Sequence, residues 1–450
     1  MTVKAIARVI AGACLLVGLV VATRPDVEPP TADALGYLDF AMSVAEHGVF
    51  GRWQGPDAPP EPSGWLMPLY PAMQALALLA LPDLAKATRC YVDRRPAATC
   101  PPGLNLQKLV AVPFALVLAL AVWWLAWLVT GRPAAAWIAM VAVFLAEWPV
   151  KATTVFLTEG PVLAFGALFL CALARVVQTR AVGWAAVAGL LLGLMALTRP
   201  GYVYLYWFLL PLALWAGVCI KKPSCAALLW GGFTLAFVAV CLPWMLRNSM
   251  TIGEFTLTAG SYGALSLSHR LGFNEMSPMQ WLAAFVFWFP DFGDDLATTL
   301  FGSTTVAPLT WDKPASFYLY GAGPFYRETL AAAGGTESHA GYLLRRHVLG
   351  DPLTHAAVTL PLAWRGMLMG YWSVVGLICL AIYLRVDRGR RRAALHAVLF
   401  AALVMVFFHA AVSVSIPRYN TLLVPILAVA IGWAGARLLD RFARRPRAPA

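Results

Sequence analysis

Two carboxylates and a scattered set of arginines are the residues whose types could do chemistry. Asp33 heads the stretch DALGYLDFAMSVAEHG, residues 33–48, and Glu159 stands in TTVFLTEGP. A carboxylate can take a proton from a hydroxyl or amine that comes within about 2.6 to 3.2 Å of it. Arg52 in FGRW, Arg199 in LTRPGY, Arg247 in LPWMLRN and Arg418 in SIPRYN carry guanidinium forks, whose geometry matches phosphate oxygens. Tyr37, one helical turn beyond Asp33, and Tyr419, beside Arg418, are further candidates for contact with such a ligand. Together these residues suit a general base working beside an anionic group. Each also has a plainer reading. Asp33 follows Thr31 closely enough to be a helix N-cap, and Glu159 can be a helix-start acid favoured by the macrodipole by about 0.3 to 1 kcal/mol. A single arginine at a membrane edge is usually a snorkelling anchor.

The elements that must position these groups are membrane spans. Of 450 residues 60% are hydrophobic and 12% charged, and the mean hydropathy is +0.70, far from soluble domains, where about a quarter of residues are charged. The fold class expected is an all-α polytopic membrane protein. About 20 apolar residues cross the hydrocarbon core, and ten runs of suitable length can be marked: 5–23, 106–130, 134–150, 159–177, 182–198, 201–220, 226–246, 368–384, 394–414 and 422–439. The net charge of +12 falls largely between spans, at Arg132, Arg175, Arg180, Lys221, Lys222, residues 385–392 and the tail 437–447. That pattern sets topology and meets anionic lipid, so no nucleic-acid partner is implied. These segments are expected in the cytoplasm with both termini, which places the long segments 24–105 and 247–367 together on the outer face. The chain then divides into an N-terminal span module, residues 1–246, a second outer loop, 247–367, and C-terminal spans with a basic tail, 368–450. Lys4 and Arg8 ahead of an apolar run resemble a signal peptide, but no small-residue cleavage site precedes Arg24, so a retained helix is expected.

Within the outer segments, 65–81 is interrupted by Pro68 and Pro71, and 279–289 is short before Pro290. Both are expected as interfacial helices, and the Pro-rich Gly55–Gly64 as a loop. The helix at 33–48, too polar to span, would lie along the interface. Of eight cysteines, six lie in or beside spans and read as small hydrophobes. Cys90 and Cys100, with nine residues between them, read as a local disulfide in an oxidising compartment, ahead of a metal site because no histidine accompanies them. His269 and His339 read as loop residues before acceptor contacts.

DALGYLDFAMSVAEHGVF, PLYPAMQALALL, FLTEGPVLAFGALFL, GLLLGLMALTRPG, LPWMLRNSMTIGEF and RYNTLLVPILA occur in the order seen in the membrane-embedded GT-C glycosyltransferases. The chain resembles the family 39-like group, which includes protein O-mannosyltransferases and aminoarabinose transferases. Residues 266–365 match nothing in that pattern. The resemblance implies transfer of a sugar, with inversion, from a polyprenyl-phosphate carrier to a lipid, glycan or protein acceptor at the outer face of the cytoplasmic membrane. It implies that Asp33 is the general base and that Glu159 helps hold the acceptor or a metal. Ala34 follows Asp33 where many relatives carry a second acid, which weighs against a first-loop pair of metal ligands. A divalent metal is left open, with Asp33 and Glu159 as its candidate ligands. For the departing lipid phosphate, Arg247 and Arg418 are the first candidates, and Arg199 and Arg52 follow. A membrane transporter and a lipid-linked-glycan polymerase or ligase are the competing readings. No repeat relates the two halves, as a rocking carrier would often show, and the acid-led first outer loop argues against a polymerase or ligase. No nucleotide-binding glycine fingerprint appears.

Overall fold

A computed structural model describes residues 2–443 apart from 25, 59, 211–222, 261, 336, 388 and 390. Every regular element among the described residues is a helix. The principal ones are α1 (Val3–Ala22), α2 (Ala32–His47), α3 (Leu69–Ala80), α4 (Pro82–Val92), α5 (Gln107–Thr130), α6 (Pro133–Ala142), α7 (Glu159–Thr179), α8 (Val182–Ala196), α9 (Pro223–Ile252), α10 (Tyr262–Leu271), α11 (Pro278–Phe287), α12 (Pro352–Met367), α13 (Tyr371–Val386), α14 (Arg392–Val412) and α15 (Val424–Ala443).

Six helices among the described residues are long and apolar enough to cross a membrane, and α12 with α13 makes a seventh if that bent pair is one span. The ten expected runs divide accordingly. Segment 134–150 breaks at extended Ala146, after which Glu147–Lys151 forms a separate short helix; Pro149 sits in its first turn, where no amide donor is needed. Segment 182–198 yields only the fifteen residues of α8. It stops because Pro200 pushes Arg199 out of the helical region, to φ −142° and ψ 121°. Segment 201–220 is helical from 203 to 210, and residues 211–220 lie outside the described residues. α3 and α11, with twelve and ten residues, are helices too short to span.

The chain forms two compact units. The first comprises residues 1–258, 375–401 and 421–450. Here α5 packs on α1, α6 and α7, α8 lies between α7 and α9, and α15 lies on α6. Small residues permit the close contacts, since apolar helices in lipid gain most from backbone approach. A Cβ on Gly189 would stand 2.0 Å from the carbonyl oxygen of Phe233, and one on Gly432 2.3 Å from that of Ala135. α5 ends at Gly131, whose φ of 72° suits a left-handed cap, and Pro133 begins α6. The outer segment adds α2, α3 and α4 around a core of Leu38, Ala41, Met42, Trp53, Leu78, Leu84 and Phe156. α2 therefore packs its apolar residues on protein rather than laying them on lipid as expected.

The second unit comprises residues 259–374 and 402–420. It is built of short helices, with Ala264, Leu271, Phe325 and Leu343 at one centre. Arg270 is fully buried there. It donates to the carbonyls of Ala410 (2.5 Å) and His355 (2.9 Å), to Thr359 Oγ1 (3.1 Å) and to Asn274 Oδ1 (2.8 Å). Burial lowers its pKa to about 9. These bonds tie α10 to α12 and α14 without a carboxylate.

Candidate active site

The site grows from the loop that ends at α2. Before this helix, Glu28 N donates to the Thr154 carbonyl (3.0 Å) and Val27 N to Asn105 Oδ1 (2.8 Å). These bonds hold the segment before α2 to the segments that lead into α7 and α5. Thr31, extended at φ −88° and ψ −177°, is the N-cap residue of α2, and Asp33 lies within the first turn. The N-cap reading of Asp33 is thereby overturned. Asp33 is exposed, so its carboxylate can be met by a molecule from outside.

Glu159, the first residue of α7, is fully buried. Its Oε1 is paired with Arg199 Nη2, and Arg199 Nε donates to Thr158 Oγ1 at 2.6 Å. Burial disfavours the Arg199 cation, but the Glu159 carboxylate and the phenols of Tyr37 and Tyr202 outweigh it, and the pKa rises above the ordinary arginine value. Tyr37 joins the acids: burial raises its phenol pKa, Arg199 opposes this, and both Glu159 and Asp33 act on it, with Thr158 as hydrogen-bond partner. Asp33, Tyr37, Glu159 and Arg199 are thus one cluster. Within it Glu159 and Arg199 are bonded to each other. Glu159 presents no accessible surface to an acceptor, and Arg199 is neutralised by it rather than open to phosphate.

Behind this cluster, Tyr70 meets Tyr37 edge to face at 5.3 Å. Burial holds the Tyr70 phenol well above its ordinary pKa, while Gln74 and Gln107 beside it act in the other direction. Among the described residues Tyr70 OH, both amide atoms of Gln74, Gln107 Oε1 and Glu159 Oε2 are buried without a partner. Such atoms are ordinarily satisfied by ordered water. Sequence reasoning passed over this group, although an amide in the apolar run YPAMQALALLA was a signal.

It also passed over Asp39. This acid is buried on α2 with Arg94 Nη2 at 2.9 Å and Arg52 Nε at 3.7 Å. Burial raises its pKa, and the two arginines oppose the rise. The signal was an acid between Leu38 and Phe40 beside an arginine-rich segment. Arg52 is therefore a partner of Asp39. Cys90 and Cys100 are bonded, with Cα atoms 5.5 Å apart, and the bridge ties the end of α4 to the segment before α5. Arg247 reaches into the same outer segment, donating to the carbonyls of Ser63 (2.8 Å) and Phe50 (3.1 Å) and lying 4.8 Å from the Trp244 ring centre. Those bonds make it a clamp on the 50–63 loop, and among the described residues no carboxylate forms an ion pair with it.

Arg418 and Tyr419 belong to the second unit. They lie in the turn Pro417–Leu423, next to Asn420, which bonds His409 Nδ1 (2.9 Å) and the Gly366 carbonyl (3.1 Å). In the same unit His339 Nε2 is 2.9 Å from Thr329 Oγ1, and His269 packs on Tyr318. No group of three His, Cys, Asp or Glu side chains among the described residues is placed to hold a metal ion. Of the two candidate ligands, Glu159 is already occupied by a guanidinium.

The arrangement of helices is that of known proteins. ArnT of Cupriavidus metallidurans, solved with undecaprenyl phosphate bound, superposes with a TM-score of 0.50 at 12% identity, over 98% of this chain and 62% of that one. The oligosaccharyltransferase of Archaeoglobus fulgidus in its apo form gives 0.50 at 13%, over 97% and 50%. Its form called AglB, in complex with an inhibitory peptide and a dolichol-phosphate, gives 0.50 at 13%, over 98% and 52%. No sequence family and no curated protein matches the chain. The fold is the GT-C fold of multi-pass membrane proteins. The chain spans only about half to three-fifths of the length of these structures.

Proposed function

We propose that the protein is a glycosyltransferase that moves a sugar from a polyprenyl-phosphate carrier to an acceptor at the outer face of the cytoplasmic membrane, with inversion. The observation that carries this is the gathering of Asp33, Tyr37, Arg199 and Glu159 at the heads of α2 and α7 in a chain with the GT-C fold. Asp33 is the member open to an incoming molecule. In the reaction the acceptor oxygen or nitrogen attacks the anomeric carbon, its proton passes to the Asp33 carboxylate, and the bond from that carbon to the phosphate oxygen breaks. The lipid phosphate leaves with the electron pair. Glu159 is a positioning residue, holding Arg199 and through it the Tyr37 phenol against Asp33. Arg247, whose cation forms no ion pair with a carboxylate among the described residues, is the proposed partner of the donor phosphate in the first unit. The same role for Arg418 and Tyr419 rests on the sequence resemblance alone. The acceptor class, whether lipid, glycan or protein, is set by residues outside this cluster.

The test is incubation of purified protein with a panel of polyprenyl-phosphate sugars, following release of the carrier phosphate by mass spectrometry. Release that depends on an added acceptor extract and is absent in Asp33→Asn supports the proposal. Turnover of Asp33→Asn at the wild-type rate removes the base and the reaction with it.

A further inference from the structure

We propose that a cavity at the basic end of the first unit binds a phosphate-bearing anion, most simply a phospholipid headgroup. The cavity has a volume of about 400 Å³ and is walled by Trp127, Leu128, Arg175, Gln178, Arg391 and Ala394 among others. These residues come from the last turns of α5 and α7 and from the start of α14. Helix C-termini ordinarily repel anions, because their last carbonyls carry the negative end of the dipole. Here those of α5 are covered. Arg391 Nη1 donates to the carbonyls of Trp127 (2.6 Å) and Leu128 (3.2 Å), and Gln178 Nε2 donates to that of Leu128 (2.9 Å). The polar side chains of the wall are two guanidiniums and an amide, set beside the apolar Trp127, Leu128 and Ala394. Among the described residues no acid lines it, and neither Arg175 nor Arg391 forms an ion pair. Arg175 is steadied over the Trp184 ring at 5.5 Å, which pre-orders its fork. Asp440, a carboxylate at the same end, is taken by Arg132 at 2.6 Å.

The volume lies in the range of small-molecule sites, roughly 300 to 1,000 Å³, enough for a phosphate with part of a glycerol backbone. α5, α7 and α14 are all spans, so their common end lies at a membrane edge, where basic pockets between helices take anionic headgroups. A soluble phosphate offers the same chemistry from a second source. If the arginines only cap α5 and stack on Trp184, no ligand is required, and the experiment separates these cases. It is independent of the sugar-transfer reaction.

Native mass spectrometry of the full chain in neutral detergent is titrated with phosphatidylglycerol and, separately, with phosphatidylcholine, and inorganic phosphate is then added as a competitor. One phosphatidylglycerol should be retained in preference to phosphatidylcholine. Arg175→Gln, which keeps most of the packing on Trp184, should weaken that retention roughly tenfold, the equivalent of one charge-assisted hydrogen bond. Gln178→Glu, which puts a like charge in the cavity, should abolish it, and the unfolding temperature of each variant in phosphatidylcholine shows that the fold is intact. Displacement of the retained lipid from the wild-type chain by millimolar phosphate identifies the soluble anion as a ligand and leaves the site standing. Equal retention of the two lipids, or undiminished retention of phosphatidylglycerol by both folded variants, overturns the proposal.

Discussion

Asp33 and Asp39 lie on one helix, yet one is exposed in the first turn and the other buried between two arginines. Their substitutions should separate cleanly. Asp33→Asn keeps shape and should leave stability nearly unchanged, because Thr31 is the cap residue; turnover should fall by about 10² to 10⁴, the usual worth of a general base, while donor binding survives. A steady-state assay with a parallel donor-binding measurement checks both. Asp39 carries a pH signature. Burial raises its folded pKa, so the folded chain keeps this proton to higher pH than the unfolded one. The stability it contributes is full below its unfolded pKa and falls as pH rises through the folded value. Thermal unfolding from about pH 4 upward should therefore show wild type losing ground to Asp39→Asn, since Asp titrates near 3.9 when unperturbed; a difference that moves the other way refutes the assignment. Glu159→Gln leaves Arg199 largely buried without a counter-charge, and breaking such a pair from one side costs about 3 to 5 kcal/mol. In a folded sample the same variant should raise the acceptor KM as well as lower kcat, which loss of stability alone would not do.

Elements are held together by two devices that differ in kind. In the outer segment the bridge between Cys90 and Cys100 closes a short loop after α4, and on the chain-entropy account such closure stabilises by about 2 to 3 kcal/mol. Both thiols should resist alkylation until reduced, and free thiols in protein purified without reductant would show the bridge is not formed. Among the spans the device is backbone contact at glycine. Gly189→Ala and Gly432→Ala should each lower the unfolding temperature, because the added carbon meets the Phe233 or Ala135 carbonyl and forces α8 from α9 or α15 from α6. Gly18→Ala on α1, with nothing within 4 Å of the new carbon, is the control and should be neutral or slightly stabilising.

At the scale of the whole molecule, the basic segments between spans predict orientation. Residues 388–392 and both termini should face the cytoplasm, and the segments 24–105 and 247–367 the outside. A membrane-impermeant thiol reagent applied to intact cells should label a cysteine placed at Gly334 and miss one placed at Gly389. The reverse pattern would put Asp33 and the Cys90–Cys100 bridge in the cytoplasm and remove the proposed reaction from its donor.

The sequence by itself determined the helical, membrane-embedded class, because hydrophobic runs of span length and charge-poor composition permit little else in a bilayer. It also singled out Asp33, Tyr37, Glu159 and Arg199, since polar groups near span ends stand out against an apolar background. It did not determine which runs are single long helices. Extended Ala146 and the Pro200 that follows Arg199 end helices early through local backbone sterics, which a hydropathy count does not register. Nor did it determine partners. Whether Arg199 meets a phosphate or Glu159, whether Arg52 meets a ligand or Asp39, and whether Arg247 is open or clamped on the Phe50 and Ser63 carbonyls were decided by tertiary structure alone. A buried charge must be compensated by whatever the fold brings within a few ångströms, and chain positions far apart in sequence become neighbours only when the helices pack.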